Sequence, residues 1–146
     1  MAKLARDVMT ANPACCSADV TLDKVARMMV DNNCGEIPIV DSSKKPVGVV
    51  TDRDIVCRVV AESKNPAASR ADSCMTRPVI TVAGHTTLDE VVATMEAHQI
   101  RRILVVDGDG CCTGIISQAD IATVGMPSQT AELVSKVSRV TAQPSV

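Results

Sequence analysis

At 146 residues, 46% hydrophobic and 22% charged, the chain is long enough for one ordinary domain, or for two very small ones sharing a core, and its composition is globular. No apolar run approaches the roughly 18 residues of a membrane helix, and residues 1–10, with Lys3, Arg6 and Asp7, lack the apolar stretch of a signal peptide, so a cytoplasmic location with no membrane attachment is expected. Fifteen Lys and Arg against 17 Asp and Glu leave a net charge of −2, and there is no Phe, Trp or Tyr; without a basic stripe or aromatic platforms, nucleic acid is excluded as a partner.

In chain order, residues 14–17 read as a short extended piece. A helix follows, with Leu22, Val25, Ala26 and Met29 on one face, Thr21 in N-cap position and Asp23 in the positive first turn. Residues 37–40 and 47–51 read as strands separated by the turn residues Asp41, Ser42, Ser43 and Lys44. A second helix is expected after Thr51, with Ile55, Val56, Val59 and Val60 as its apolar face. Residues 63–73 read as a linker.

The pattern then returns. Residues 79–82 are extended, and a helix carries Leu88, Val91, Val92 and Met95 on one face, with Thr87 and Glu90 at capping-box spacing. Strands are expected over 103–106 and 113–117, and a second helix is cut short by Gly125 and Pro127. The tail places Leu133, Val137 and Val140 on one helical face, which suits packing back on the body or on a second subunit.

This return is an internal repeat with a single offset of 66 residues. Thr21-Leu22-Asp23-Lys24-Val25 recurs as Thr87-Leu88-Asp89-Glu90-Val91, and Met9-Thr10 as Met75-Thr76. Ile39-Val40-Asp41 recurs as Val105-Val106-Asp107, Gly48-Val49-Val50-Thr51 as Gly114-Ile115-Ile116-Ser117, and Asp54-Ile55 as Asp120-Ile121. Two copies suggest a pseudo-twofold pair rather than a solenoid, which needs more units.

The seven cysteines are odd in number and form no C-x-x-C, which argues against a disulfide scaffold, a zinc knuckle or a thioredoxin-type pair. Most are expected to be small apolar core residues. The adjacent pairs Cys15-Cys16 and Cys111-Cys112 keep a redox or soft-metal reading open. His85 and His98 are not at metal spacing, no order of residues suggests nucleophilic catalysis, and no Gly-rich phosphate loop occurs; no catalytic residue, no metal ligand and no required cofactor is assigned.

The informative residues are Thr51-x-x-Asp54 and Ser117-x-x-Asp120, each where a strand hands over to a helix. They can serve simply as capping boxes, at about 1 kcal/mol per cap. The same residues can also bind a ligand, the hydroxyl giving a donor and the carboxylate accepting the paired hydroxyls of a ribose. Spacing leaves both readings open.

The order β-α-β-β-α, twice, with Val-Met-Thr at the start, Thr-Leu-x-x-Val on the first helix, Ile-Pro-Ile-Val-Asp on a strand and Gly-Val-Val-Thr-Asp-Arg-Asp-Ile at the last turn, resembles a pair of CBS domains of the small stand-alone bacterial kind. The resemblance implies an α/β (α+β) fold with repeats at 4–62 and 74–126 packed as a pseudo-twofold pair, a linker at 63–73, and a short C-terminal helix in the tail 127–146. It implies a homodimer and a regulatory role toward a protein partner in trans, without enzymatic activity. It implies adenine nucleotides (AMP, ADP or ATP, with S-adenosylmethionine or NAD behind them) in clefts between the copies.

Thr51, Asp54, Ser117 and Asp120 take the family's ribose-binding positions. By position, Val79, Ile80 and Ile100 would wall one cleft and Ala14, Cys15 and Cys34 the other. Arg101 and Arg102 match basic positions near the phosphates. The first copy has Gly35 and Glu36 in their place, so equal binding by both copies is in doubt. Leu104 stands where Pro38 stands in the first copy and where the family usually has proline.

Overall fold

The computed structural model describes residues 2–124 and 127–142. The helices are α1 (Ala5–Val8), α2 (Leu22–Asn32), α3 (Asp52–Ile55), α4 (Leu88–His98), α5 (Gln118–Val124) and α6 (Pro127–Ala142). The strands are β1 (Thr10–Ala11), β2 (Glu36–Val40), β3 (Pro46–Thr51), β4 (Thr81–Ala83), β5 (Arg102–Val106) and β6 (Cys112–Ser117). The expected mixed α/β pattern of two repeats and a C-terminal helix is present.

The chain divides into two compact units. One comprises Asn12–Val79 with Asp109–Cys112; the other comprises Met1–Ala11, Ile80–Gly108 and Thr113–Val146. The leading segment of each repeat therefore belongs with the body of the other repeat. Each unit has its own apolar cluster.

In the 12–79 unit, α2 buries Leu22, Val25 and Met29, as its spacing predicts. It ends at Asn33, whose left-handed backbone (φ 50°) turns the chain toward β2. The hairpin β2–β3 is antiparallel, with Glu36 opposite Thr51 and Ile37 opposite Val50. Cys16 bridges parallel to Ile39, and Thr76 bridges antiparallel to Val49. Ala71, Cys74 and Met75 complete the apolar cluster.

The other unit repeats this order, with the short strands β4 and β1 where the first has single bridges. Its sheet runs β1-β6-β5-β4, with Thr10 opposite Ile115 and β4 parallel to β5. Leu88, Val91, Val92 and Met95 of α4 are buried. The Thr87–Glu90 capping box closes: Glu90 N–H donates to Thr87 Oγ1 at 3.3 Å and Thr87 N–H to Glu90 Oε2 at 3.1 Å. Helix α6 packs on the same cluster through Leu133 and Val137, and Lys136 bonds both Glu96 of α4 and its own Glu132. The tail thus docks on the body; the Val140 side chain and Gly125 lie outside the described residues.

Several expectations are corrected. Ile55 and Val59 face inward, but Val56 and Val60 are 57% and 59% exposed. After α3 the chain widens into a π-helical turn over Val56–Val60, and only the i, i+4 pair reaches the core. Residues 14–17 contribute one bridge residue rather than a strand. Residues 63–73 carry two 3-10 turns and bury Ala71. Thr21 occupies the N-cap, but its hydroxyl donates to Asp23 instead of capping. Of the cysteines only Cys74 is buried; Cys34 and Cys57 are exposed and the other four half-buried, so most are not core residues.

Candidate ligand site

Each repeat places one carboxylate and one hydroxyl at the corner where its last strand meets its second helix. At the first corner, Asp54 N–H donates to Thr51 Oγ1 and Thr51 N–H to Asp54 Oδ2, both at 3.0 Å. At the second, Ser117 N–H donates to Asp120 Oδ2 at 2.8 Å, Asp120 N–H to Ser117 Oγ at 3.2 Å, and the Ser117 hydroxyl to Asp120 Oδ2 at 3.1 Å. Both capping boxes are closed, which fixes each carboxylate against the backbone.

Outside that shared frame the corners differ. Asp54 is 9% exposed. The Thr76 hydroxyl lies 3.3 Å from each of its carboxylate oxygens, and Arg58 Nε lies 3.8 Å from Oδ1. Arg58 Nη1 also donates to the carbonyls of Cys74 at 3.1 Å and Met75 at 3.4 Å. At the 66-residue offset the positions of Thr76 and Arg58 are Thr10 and Val124. Among the described residues Asp120 is half-buried and its carboxylate is bonded by Ser117 alone.

The flanking charge differs too. Asp52 N–H donates to the Gly35 carbonyl at 2.9 Å, which brings Gly35 and buried Glu36 beside the first corner. Gln118 N–H donates to the Arg101 carbonyl at 2.9 Å, which brings Arg101 and half-buried Arg102 beside the second. Gln118 was not singled out from the sequence. Its side-chain Oε1 is buried without a hydrogen-bond partner among the described residues. An amide beside a Ser-x-x-Asp spacing carries no sequence signal of its own.

Thr51, Asp54, Ala14, Cys15, Cys34 and Val79 lie in the 12–79 unit, and Ser117, Asp120, Arg101, Arg102, Ile80 and Ile100 in the other. Ala14 packs against the first apolar cluster, and Ile80 and Ile100 against the second. Cys34 Sγ donates to the Glu36 carbonyl at 3.6 Å.

The thiols at one edge of the 12–79 unit form a local network. Cys15 Sγ donates to the Pro13 carbonyl at 3.2 Å, and the Cys112 thiol lowers the Cys15 pKa despite partial burial. Cys16 is pushed up to about 11 by burial, reinforced by Cys15 and Asp19. Cys111 Sγ donates to the Ser43 carbonyl at 3.2 Å. Among the described residues no group of three or more His, Cys, Asp or Glu side chains could hold a metal ion, and no helix is long and apolar enough to cross a membrane.

The sequence matches the CBS domain family over residues 5–61 and 71–126. It is 32% identical over 118 residues to hypoxic response protein 1 of Mycobacterium tuberculosis, covering 81% of this chain and 82% of that one. It is 36% identical over 118 residues to the uncharacterized protein YlbB of Bacillus subtilis, covering 80% and 78%. It is also 36% identical over 119 residues to an uncharacterized protein of Methanopyrus kandleri, of whose length it spans 58%.

Among solved structures, hypoxic response protein I with two coordinated zinc ions superposes with a TM-score of 0.75 at 30% identity, covering 86% of this chain and all of that one. The CBS domain pair of MJ0100, in complex with 5′-methylthioadenosine and S-adenosyl-L-methionine, superposes with a TM-score of 0.77 at 27% identity, covering 85% and 96%. With two matched copies, the repeated strand order and relatives of the same length, this chain belongs to the CBS domain family as a small CBS-pair protein.

Proposed function

We propose that the chain is a regulatory module that binds an adenine nucleotide (AMP, ADP or ATP) at a strand-to-helix corner and acts on a protein partner in trans, with no reaction of its own. The observation that carries this reading is the doubled hydroxyl–carboxylate corner, held rigid by its capping box, with Asp120 Oδ1 open to further donors among the described residues. A ribose diol offers two such donors. The adenosyl ligands bound by the CBS pair of MJ0100 support the same ligand class.

Ala14, Cys15, Cys34, Val79, Ile80 and Ile100 are the proposed adenine-contacting residues, using apolar and backbone groups because no aromatic ring is available to stack. Arg101 and Arg102 are the proposed phosphate partners. A homodimer is part of the proposal, and Val56 and Val60 supply exposed apolar surface for it. Regulation requires that the ligand bind two arrangements of the protein with different affinity. The two zinc ions of the hypoxic response protein form no part of this proposal, because among the described residues no group of three or more His, Cys, Asp or Glu supports a metal.

The test is calorimetric titration of AMP, ADP and ATP, with 5′-methylthioadenosine alongside, on nucleotide-free wild type and on the Asp54→Ala/Asp120→Ala double variant. Micromolar binding lost in the variant supports the proposal. Absence of heat from folded wild type with all four ligands rejects it and leaves both corners as helix caps.

A second reading rests on the neighbouring thiols of Cys15 and Cys112. A thiol-responsive interaction protein would show an oxidant-dependent change of oligomeric mass, reversed by reductant, and the Cys112→Ala variant would lose it.

A further inference from the structure

We propose that the two repeat-related corners have diverged: Ser117–Asp120 is the binding corner and takes an anionic nucleotide, while Asp54 is a lock that fastens the segment leading the second repeat. This rests on the nucleotide reading above and assigns it to one corner.

The first argument is carboxylate capacity. A ribose diol needs acceptor positions that are free or cheaply freed. Asp54 already accepts from Thr51 N–H and Thr76 Oγ1 and faces Arg58, all at a site 9% exposed. A ribose there would have to displace Thr76 and pull the carboxylate from a guanidinium that also holds the Cys74 and Met75 carbonyls. Asp54 itself is buried, so displacing Thr76 from it breaks a bond that the native corner already makes.

Asp120 carries no such load. The counterpart of Arg58 is Val124, which offers no hydrogen, and among the described residues nothing bonds Asp120 Oδ1.

The second argument is charge. The first corner sets Glu36 directly across from Thr51, beside Asp54. A phosphate there meets three carboxylates, Glu36, Asp52 and Asp54, against the guanidiniums of Arg53 and Arg58. The second corner sets Arg101 and Arg102 beside one carboxylate. The two arginines flanking the second corner favour an anion there, and the net negative charge of the first disfavours one.

The third argument is the buried, unpartnered Oε1 of Gln118. Buried acceptors are nearly always bonded, so this amide oxygen marks a place where a donor is missing. Its counterpart, Asp52, has Oδ1 bonded by Arg53 N–H at 2.8 Å.

The experiment compares full-length wild type with Asp54→Asn, Asp120→Asn and Arg101→Gln/Arg102→Gln, using ADP and uncharged 5′-methylthioadenosine as probes and thermal unfolding as a second readout. Wild type should bind one ADP per chain. Asp120→Asn should weaken both probes by about tenfold or more, the loss of roughly one charged hydrogen bond. Asp54→Asn should weaken both probes less than Asp120→Asn does, yet lower Tm by about 5 °C or more, and by more than Asp120→Asn does. The arginine variant should weaken ADP more than 5′-methylthioadenosine.

Two ADP per chain, or loss of binding in folded Asp54→Asn with none in Asp120→Asn, overturns the assignment. Absence of binding of either probe to wild type rejects the nucleotide reading and the binding corner together. The lock is then judged by unfolding alone, and equal Tm values for Asp54→Asn and Asp120→Asn reject it.

Discussion

Met75 lies across Gly48 so closely that a Cβ on the glycine would sit 2.5 Å from Met75 Sδ, 2.9 Å from Cγ and 3.2 Å from Cβ. Met9 lies across Gly114 in the same way and closer still. The repeated Met-Thr and the repeated Gly are therefore two halves of one packing device. Each leading segment seats its methionine on the last strand of the opposite repeat, where only hydrogen leaves room.

Gly48→Ala and Gly114→Ala should each destabilise the protein by about 1–3 kcal/mol, the usual cost of overpacking a site whose neighbour includes backbone-near atoms. Chemical denaturation checks this. The double variants Gly48→Ala/Met75→Ala and Gly114→Ala/Met9→Ala should recover part of the loss, because the clash is removed with its partner.

The exchanged leading segments also predict which fragments fold. A chain of residues 1–61 lacks Ala71, Cys74 and Met75, three members of the first apolar cluster, and lacks Thr76 and its bond to Asp54. A chain of residues 12–79 keeps them all. Circular dichroism on heating should show a cooperative transition for 12–79 and none for 1–61. The reverse order would contradict the unit boundaries.

The thiols predict an alkaline effect. The Cys16 pKa is raised from an ordinary 9.0 to about 11 by burial, and that of Cys74 is raised by burial and by Asp54. A raised folded pKa favours the neutral thiol in the folded state. Its contribution is fully present below pH 9 and is lost as pH climbs toward 11, because the unfolded thiols ionise first. Tm should fall across that window, and Cys16→Ala should shrink the fall. Cys15 is shifted the other way by the Cys112 thiol, so iodoacetamide should label Cys15 ahead of Cys16, and Cys112→Ala should move the Cys15 rate profile to higher pH.

Helix α6 belongs to the second core by its apolar contacts. Leu133 is fully buried there, and Leu133→Ala should cost about 2–4 kcal/mol in denaturant unfolding. Lys136 bridges exposed Glu132 and Glu96, whose side chain is 14% exposed, so Lys136→Ala should lower stability, but by less than Leu133→Ala does.

Much of this molecule follows from the sequence by itself, and the physical reason is that the information is local. Leu22, Val25 and Met29, and Leu88, Val91 and Met95, recur at helical spacing, so α2 and α4 form where the period demands. Thr87 with Glu90, Thr51 with Asp54 and Ser117 with Asp120 close within four residues, so their caps are legible from spacing. The 66-residue offset reveals the repeat.

What the tertiary structure alone decided is long-range. Thr76 meets Asp54 from 22 residues away, and the repeat keeps a threonine at the matching position, Thr10, which among the described residues does not bond Asp120. Val56 and Val60 look like core beside Ile55 and Val59, and only the π-helical turn turns them outward. The exchange of leading segments is equally invisible in a linear pattern, because a methionine and a glycine show their fit only once distant strands are laid side by side.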